Sequence, residues 1–113
     1  STQTITAMYE LVLSDATVAE KYAQFDFRYK KPGETESRLI NHEVLAAPAD
    51  ITQASENMQF AVSITGFGLL MKESEYAGSL NKAMVLEWGE NASEFDPNGY
   101  RGEYLELVSD WNE

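Results

Sequence analysis

Positions 57 to 71 carry no formal charge, a run of fifteen residues closed by Glu56 in front and Lys72 behind. Met58, Phe60, Ala61, Val62, Ile64, Phe67, Leu69, Leu70 and Met71 leave only a narrow small or polar strip of Gln59, Ser63 and Gly66. A segment apolar nearly all round predicts a helix buried on every side. Ser55 stands where an N-cap is needed, and Glu56 in the first turn complements the helix dipole. At 1.5 Å per residue the run spans roughly 22 Å, short of the ~30 Å hydrocarbon layer of a bilayer. The pattern therefore predicts the central helix of a soluble core, about residues 56–72, without insertion into a membrane. Gly66 and Gly68 each cost about 1 kcal/mol relative to Ala in a helix interior, so close approach of a neighbouring backbone is expected at both. On that reading Gly68→Leu overpacks the core.

Upstream the period is two. Ile5, Ala7, Tyr9, Leu11 and Leu13 alternate with Thr4, Thr6, Met8, Glu10 and Val12, predicting a first strand over 4–13. Lys21, Ala23, Phe25, Phe27 and Tyr29 alternate with Tyr22, Gln24, Asp26, Arg28 and Lys30, a second strand with one aromatic, buried face and one wet face. Pro32 and Gly33 supply turn chemistry, and residues 37–45 return as a third strand. Its adjacent pairs Leu39-Ile40 and Val44-Leu45 predict a bulge or burial of both faces. The period changes from two to 3.6 across residues 46–50, the one internal boundary.

Beyond the central helix, Asn81 is placed to cap a short helix over 82–88, with Leu80, Met84 and Trp88 on one stripe and Gly89 as its stop. Asp96-Pro97 reads as a cap followed by proline at the first helical position. The last helix then carries Tyr100, Tyr104, Leu107, Val108 and Trp111 on one face. The fold class is α+β: a three-stranded antiparallel sheet in the N-terminal half (1–46) packed against three helices in the C-terminal half (51–113). The 113 residues make one domain. A start at Ser1 with no initiator methionine is expected of a fragment of a longer chain.

Charge narrows the partners. Nineteen acids against eight Lys plus Arg give a net charge of −11, which repels phosphate backbones and anionic lipid and argues against nucleic acid. Residues 75–113 hold a net of −7 and residues 21–38 a net of +2. With so few bases among so many acids, Arg28 and Arg101 are expected in structural ion pairs. The chain has no cysteine, hence no disulfide, thiolate nucleophile or cysteine zinc site.

Candidate chemistry is sparse. His42 is the single histidine, so neither a Ser-His nor a His-His arrangement can be assembled from this chain. A calcium loop counted from Asp96 fails, since position five is Tyr100, six is Arg101 and twelve is Leu107. The carboxylate pairs Glu103/Glu106 and Glu90/Glu94 lie on polar faces and links rather than in a cleft that would split their pKa values. No phosphate loop, dinucleotide fingerprint or nucleophile elbow is present. Nothing points to an enzyme, a cofactor or a metal. The candidate partner-binding residues are Tyr76, Trp88 and Tyr100, aromatics set among acids in the helical half.

Longer stretches do carry a resemblance. Residues 55–62 (SENMQFAV), 66–74 (GFGLLMKES) with Tyr76-Ala77-Gly78, and 94–108 (EFDPNGYRGEYLELV) are similar to the region after the von Willebrand factor A domain in bacterial YfbK-like proteins. The last stretch resembles that family's Asp-Pro-x-Gly-Tyr-Arg-x-Glu-Phe-like signature. Residues 6–11 (TAMYEL) and 27–32 (FRYKKP) are similar to its strand segments. The resemblance implies a non-enzymatic structural and interaction module that supports or orients an A domain for protein binding. Its partners would be the remainder of the parent chain, namely the A domain and the strands preceding it, and another protein. It also implies an extracytoplasmic, lipoprotein parent. The A domain's Asp-x-Ser-x-Ser metal motif does not occur here, so no metal residue carries over. The alternative is an independent module using the acidic and aromatic surface of the C-terminal helices to bind a protein or a saccharide.

Overall fold

A computed structural model describes residues 3–13, 21–45 and 49–112. The elements are β1 (Ala23–Tyr29), β2 (Arg38–Val44), α1 (Glu56–Met71), α2 (Lys82–Asn91) and α3 (Tyr100–Asp110), with single 3-10 turns at Ile51–Gln53 and Glu75–Ala77. The chain forms two compact units, Tyr9–Pro48 and Ser1–Met8 with Ala49–Glu113. Helices and sheet make it α+β.

In the sheet unit, β1 and β2 pair antiparallel over seven consecutive positions, from Ala23↔Val44 to Tyr29↔Arg38. No bulge interrupts the register. Lys31 to Glu34 close the hairpin side with a turn in which the Glu34 N–H donates to Lys31 O at 3.1 Å. Gly33, at φ +85°, takes the left-handed position that Pro32-Gly33 suits. Glu34 then receives the forked guanidinium of Arg38, which is held above the usual arginine pKa chiefly by that bond. On one face Phe25, Phe27 and Tyr29 stack in a row, with ring centroids 6.4 and 6.1 Å apart. Ile40 stands opposite Phe27 on that face.

Two further expectations fail in the sheet. Residues 3–13 form neither strand nor helix, so the sheet has two strands, not three. A period of two marks a segment suited to a ladder, but a strand exists only where its N–H and C=O groups find a partner. The Tyr9 ring is tilted against Phe25, with centroids 6.2 Å apart. The aromatic face is also not buried: Phe25 is 42% and Phe27 49% exposed, and Leu39 and Ile40 are exposed as well.

The helical unit is built on α1. Ser55 accepts from the Met58 N–H and Asn81 from the Met84 N–H, so both expected caps form. The C-terminus of α1 closes with bonds from Glu73 N to Leu70 O and Ser74 N to Leu69 O. This is a Schellman arrangement with Glu73 at φ +53°, a position glycine ordinarily takes. α2 packs along α1, and α3 packs against α2. Phe67, Val85 and Val108 form the core, with Leu70, Leu80, Leu86, Tyr104 and Trp111 against it.

The face of α1 that is buried is not the one its apolar character suggests. Gln59, Ser63, Gly66 and Phe67 are buried, whereas Met58, Ile64 and Met71 are exposed. The small and polar strip is the packing seam, because helices approach closest where side chains are smallest. Ser63 has a single hydroxyl proton, which it donates to the α2 carbonyl Val85 O at 2.7 Å. The Tyr104 hydroxyl of α3, 3.0 Å away, is therefore the donor to Ser63. Burial pushes the Tyr104 phenol above its ordinary pKa. One buried hydroxyl thus joins all three helices. Above it, a Cβ on Gly89 would lie 2.6 Å from Leu105 Cδ2 and 3.1 Å from Ser63 Oγ. Gly89 is a packing glycine inside α2 rather than its stop, and the helix runs on to Asn91.

Gly66 is likewise filled, with Val85 Cγ2 3.2 Å from where its Cβ would be; Gly68 has nothing within 4 Å. The overpacking expected at Gly68 belongs to Gly66 and Gly89. The buried positions of α2 are Val85 and Gly89, one residue on from the expected stripe of Leu80, Met84 and Trp88, which are half-buried.

Candidate functional site

The linker between α2 and α3 shapes a mostly apolar surface groove. α3 begins at Tyr100, not at Pro97, because Gly99 at φ +74° turns the chain into the helix. Asp96 still caps it, from further back: its carboxylate accepts from the Arg101 N–H at 3.0 Å and the Gly102 N–H at 2.9 Å. Those two bonds, Arg101 first, hold the Asp96 carboxyl below the usual aspartate pKa.

Arg101 fixes the base of the site. Its guanidinium donates to Ala92 O at 2.7 Å and Asn57 Oδ1 at 2.6 Å, and lies 4.5 Å from the centre of the Phe60 ring. Glu56 Oε1 stands 4.0 Å from it and accepts the Phe95 N–H at 2.9 Å. The expected ion pair is thus long, and carbonyl and amide acceptors do most of the holding. Arg28 on β1 donates to Ser37 Oγ at 3.2 Å. Over Arg101 and Phe60 opens a groove of about 240 Å³, walled by Phe95, Pro97, Asn98 and Tyr100. Phe95 is 67% and Tyr100 71% exposed.

Of the three aromatics singled out from the sequence, only Tyr100 lies in this groove. Tyr76 is exposed on the turn after α1, and Trp88 is half-buried in α2. No ring contact joins the three among the described residues. Sequence reading missed Phe60, Phe95 and Pro97. Their signal lies in residues 94–101, where two aromatics flank Asp-Pro-Asn-Gly, but Phe95 reads as part of an acidic link and Asp96-Pro97 as a helix start. The expected face of α3 is also shifted: Tyr100 and Leu107 are exposed, while Arg101, Tyr104, Leu105, Val108 and Trp111 turn inward.

The groove is walled mainly by apolar groups, with Asp96 and Arg101 engaged in holding the helix start. It suits contact with a flat or aliphatic group. Among the described residues, no group of three or more His, Cys, Asp or Glu could hold a metal ion. Nor, among the described residues, is any helix long and apolar enough to cross a membrane.

Comparison with known proteins gives the family. No solved structure matches it. The curated protein described as uncharacterized protein YfbK, from Escherichia coli strain K12, is 31% identical over 99 residues. That alignment covers 88% of this chain and 16% of the relative, so the chain spans about a sixth of the length of the relative it matches. The family model for the C-terminal region of uncharacterized protein YfbK matches residues 1–113. The chain belongs to the YfbK C-terminal domain family.

Proposed function

We propose that this chain is a non-enzymatic accessory module of a longer von Willebrand factor A domain protein, where it supports or orients that domain for protein binding. One observation carries the reading: the strand-forming capacity of the chain exceeds the sheet it makes. Residues 4–13 alternate as a strand yet form none, with Ile5 86%, Tyr9 70% and Val12 97% exposed. The two strands that do pair expose Phe25, Phe27, Leu39 and Ile40, and a lone two-stranded hairpin is marginal in water. Strands from the rest of the polypeptide would take up these edges and faces.

The test is a calorimetric titration of the 113-residue chain against the remainder of its parent. Saturable binding that Leu11→Pro abolishes is the expected result, because proline removes a ladder N–H. No heat from chains that each melt cooperatively would overturn it. The location follows the same reading: an extracytoplasmic module, checked by whether protease added to intact cells cleaves it.

A second reading rests on the groove of Phe60, Phe95, Pro97 and Tyr100, which would receive an apolar or flat group of a protein or saccharide. Chemical-shift changes confined to residues 94–101 on adding a ligand would support it, and Tyr100→Ala would remove them.

A further inference from the structure

We infer that Asn98, on the wall of the groove, is the site at which this chain deamidates spontaneously and selectively, and that the product displaces that wall. The reacting group is the Asn98-Gly99 dipeptide itself, with water as the co-reactant. The inference goes beyond both readings above and depends on neither.

The chain has asparagines at 41, 57, 81, 91, 98 and 112, and glycine follows only Asn98. Deamidation begins when the backbone nitrogen of the next residue attacks the asparagine Cγ, so a side chain on that next residue obstructs it and glycine does not. A Cβ on Gly99 would meet nothing within 4 Å, so the space beside that nitrogen is open. Asn98 is exposed, and its side chain makes no hydrogen bond among the described residues. The others are held. Asn57 accepts from Arg101 and Asn81 from the Met84 N–H. Asn41 lies in the β1–β2 ladder, and Asn91 ends α2 ahead of the buried Ala92.

The backbone must also turn at Asn98 to bring Gly99 N against Cγ. Asp96 to Gly99 form a turn, with proline second and glycine last, closed by the Gly99 N–H donating to Asp96 O at 3.2 Å. That bond opens without unravelling α3, which is anchored further on by the Asp96 carboxylate at the N–H groups of Arg101 and Gly102. The Gly99 N–Cγ bond then forms, the Cγ–Nδ2 bond breaks, and the amide nitrogen leaves as ammonia with the proton from Gly99 N. Water adds to either carbonyl of the imide and opens the ring. One opening gives aspartate. The other gives isoaspartate, in which the main chain runs through the side-chain carbons and is a methylene longer. The tight turn has no slack for that length, so Asp96 O and Gly99 N no longer meet, and Phe95, Pro97 and Tyr100 shift against Phe60 and Arg101. A new carboxylate also enters a loop that already holds Glu94 and Asp96, in a chain at net −11.

The test follows amide loss by mass spectrometry in protein kept at neutral pH. Trypsin cuts after Lys82 and Arg101, so positions 83–101 come away as one peptide, and fragmentation within it separates Asn98 from Asn91. Conversion at Asn98 is expected to run at least tenfold faster than at Asn41, Asn57, Asn81 or Asn91. Conversion spread evenly over these positions, or none at Asn98, would overturn the inference. The rate at Asn98 in the folded protein is expected to lie within tenfold of its rate in urea. A folded rate a hundredfold slower would mean that the turn shields the site, and would overturn it too. The displaced wall has its own readout. Protein enriched in isoaspartate at 98 is expected to melt a few degrees below fresh protein, whereas Asn98→Asp, which carries the charge without the longer main chain, melts close to the wild type. Isoaspartate that leaves melting unchanged, or Asn98→Asp that melts as low, would remove the lengthened backbone as the cause and overturn that half of the inference.

Discussion

Gly89 shows how much one missing Cβ can organise. It sits where α2 crosses the Ser63 hydroxyl, and Ser63 is already committed to Val85 O and Tyr104. Leu105 can shift its terminal methyl, but the serine cannot yield without breaking a buried polar junction shared by three helices. Gly89→Val is therefore expected to destabilise the chain by about 2 kcal/mol, read as a lower denaturant midpoint at unchanged slope. A midpoint equal to wild type would mean the helices are not this close. The sequence shows glycines at 66, 68 and 89 without saying what each faces. Spacing assigns a helical glycine to a side of its helix, but only the neighbour's position separates a filled notch from an open one or a stop.

At the scale of elements, what was legible depended on whether the signal is local. The caps Ser55 and Asn81 and the turn at Pro32-Gly33 are each settled by a few adjacent residues, and they form as expected. The seam of α1 is not local. Apolar side chains surround that helix, so its pattern encodes no direction, and the smallest residues became the contact side. The start of α3 lies between these cases. Asp96 was readable as a cap, but Gly99 in the left-handed region delays the helix, so the carboxylate reaches forward to Arg101 and Gly102 instead of sitting at the N-cap. Because those bonds lower its pKa in the folded state, Asp96 adds stability above the ordinary aspartate pKa of about 3.9. That contribution is lost as the pH falls through the lowered native value. Asp96→Ala is expected to lower the melting temperature by several degrees at neutral pH and to match wild type once both are strongly acidified. A deficit that persisted at low pH would mean the carboxylate acts through packing, not through its charge.

For the molecule as a whole, the α+β class and the change of character near residues 46–50 follow from period alone. The candidate binding residues did not follow as well. Tyr76, Trp88 and Tyr100 share composition and not position, whereas the groove gathers Phe60 of α1, the loop after α2 and the first residues of α3. Net charge acts at this scale without choosing a fold. With −11 on 113 residues, and Lys82 and Arg101 drawn into bonds with the backbone, the surface of the helical unit is dominated by acids that repel one another. Unfolding spreads those charges apart, so the folded chain has more to gain from screening. Raising the salt from near zero to about 0.3 M, where the Debye length falls to roughly 6 Å, is expected to raise the melting temperature by a few degrees. The isolated surface pairs, Lys21 with Glu43 and Arg38 with Glu34, lose a little over the same range, since exposed pairs contribute about 0–1 kcal/mol each. Repulsion among many acids outweighs two such pairs, which fixes the sign. A melting temperature that fell with salt would reverse that balance and show that opposite-charge contacts, not the acidic surface, govern this chain's electrostatics.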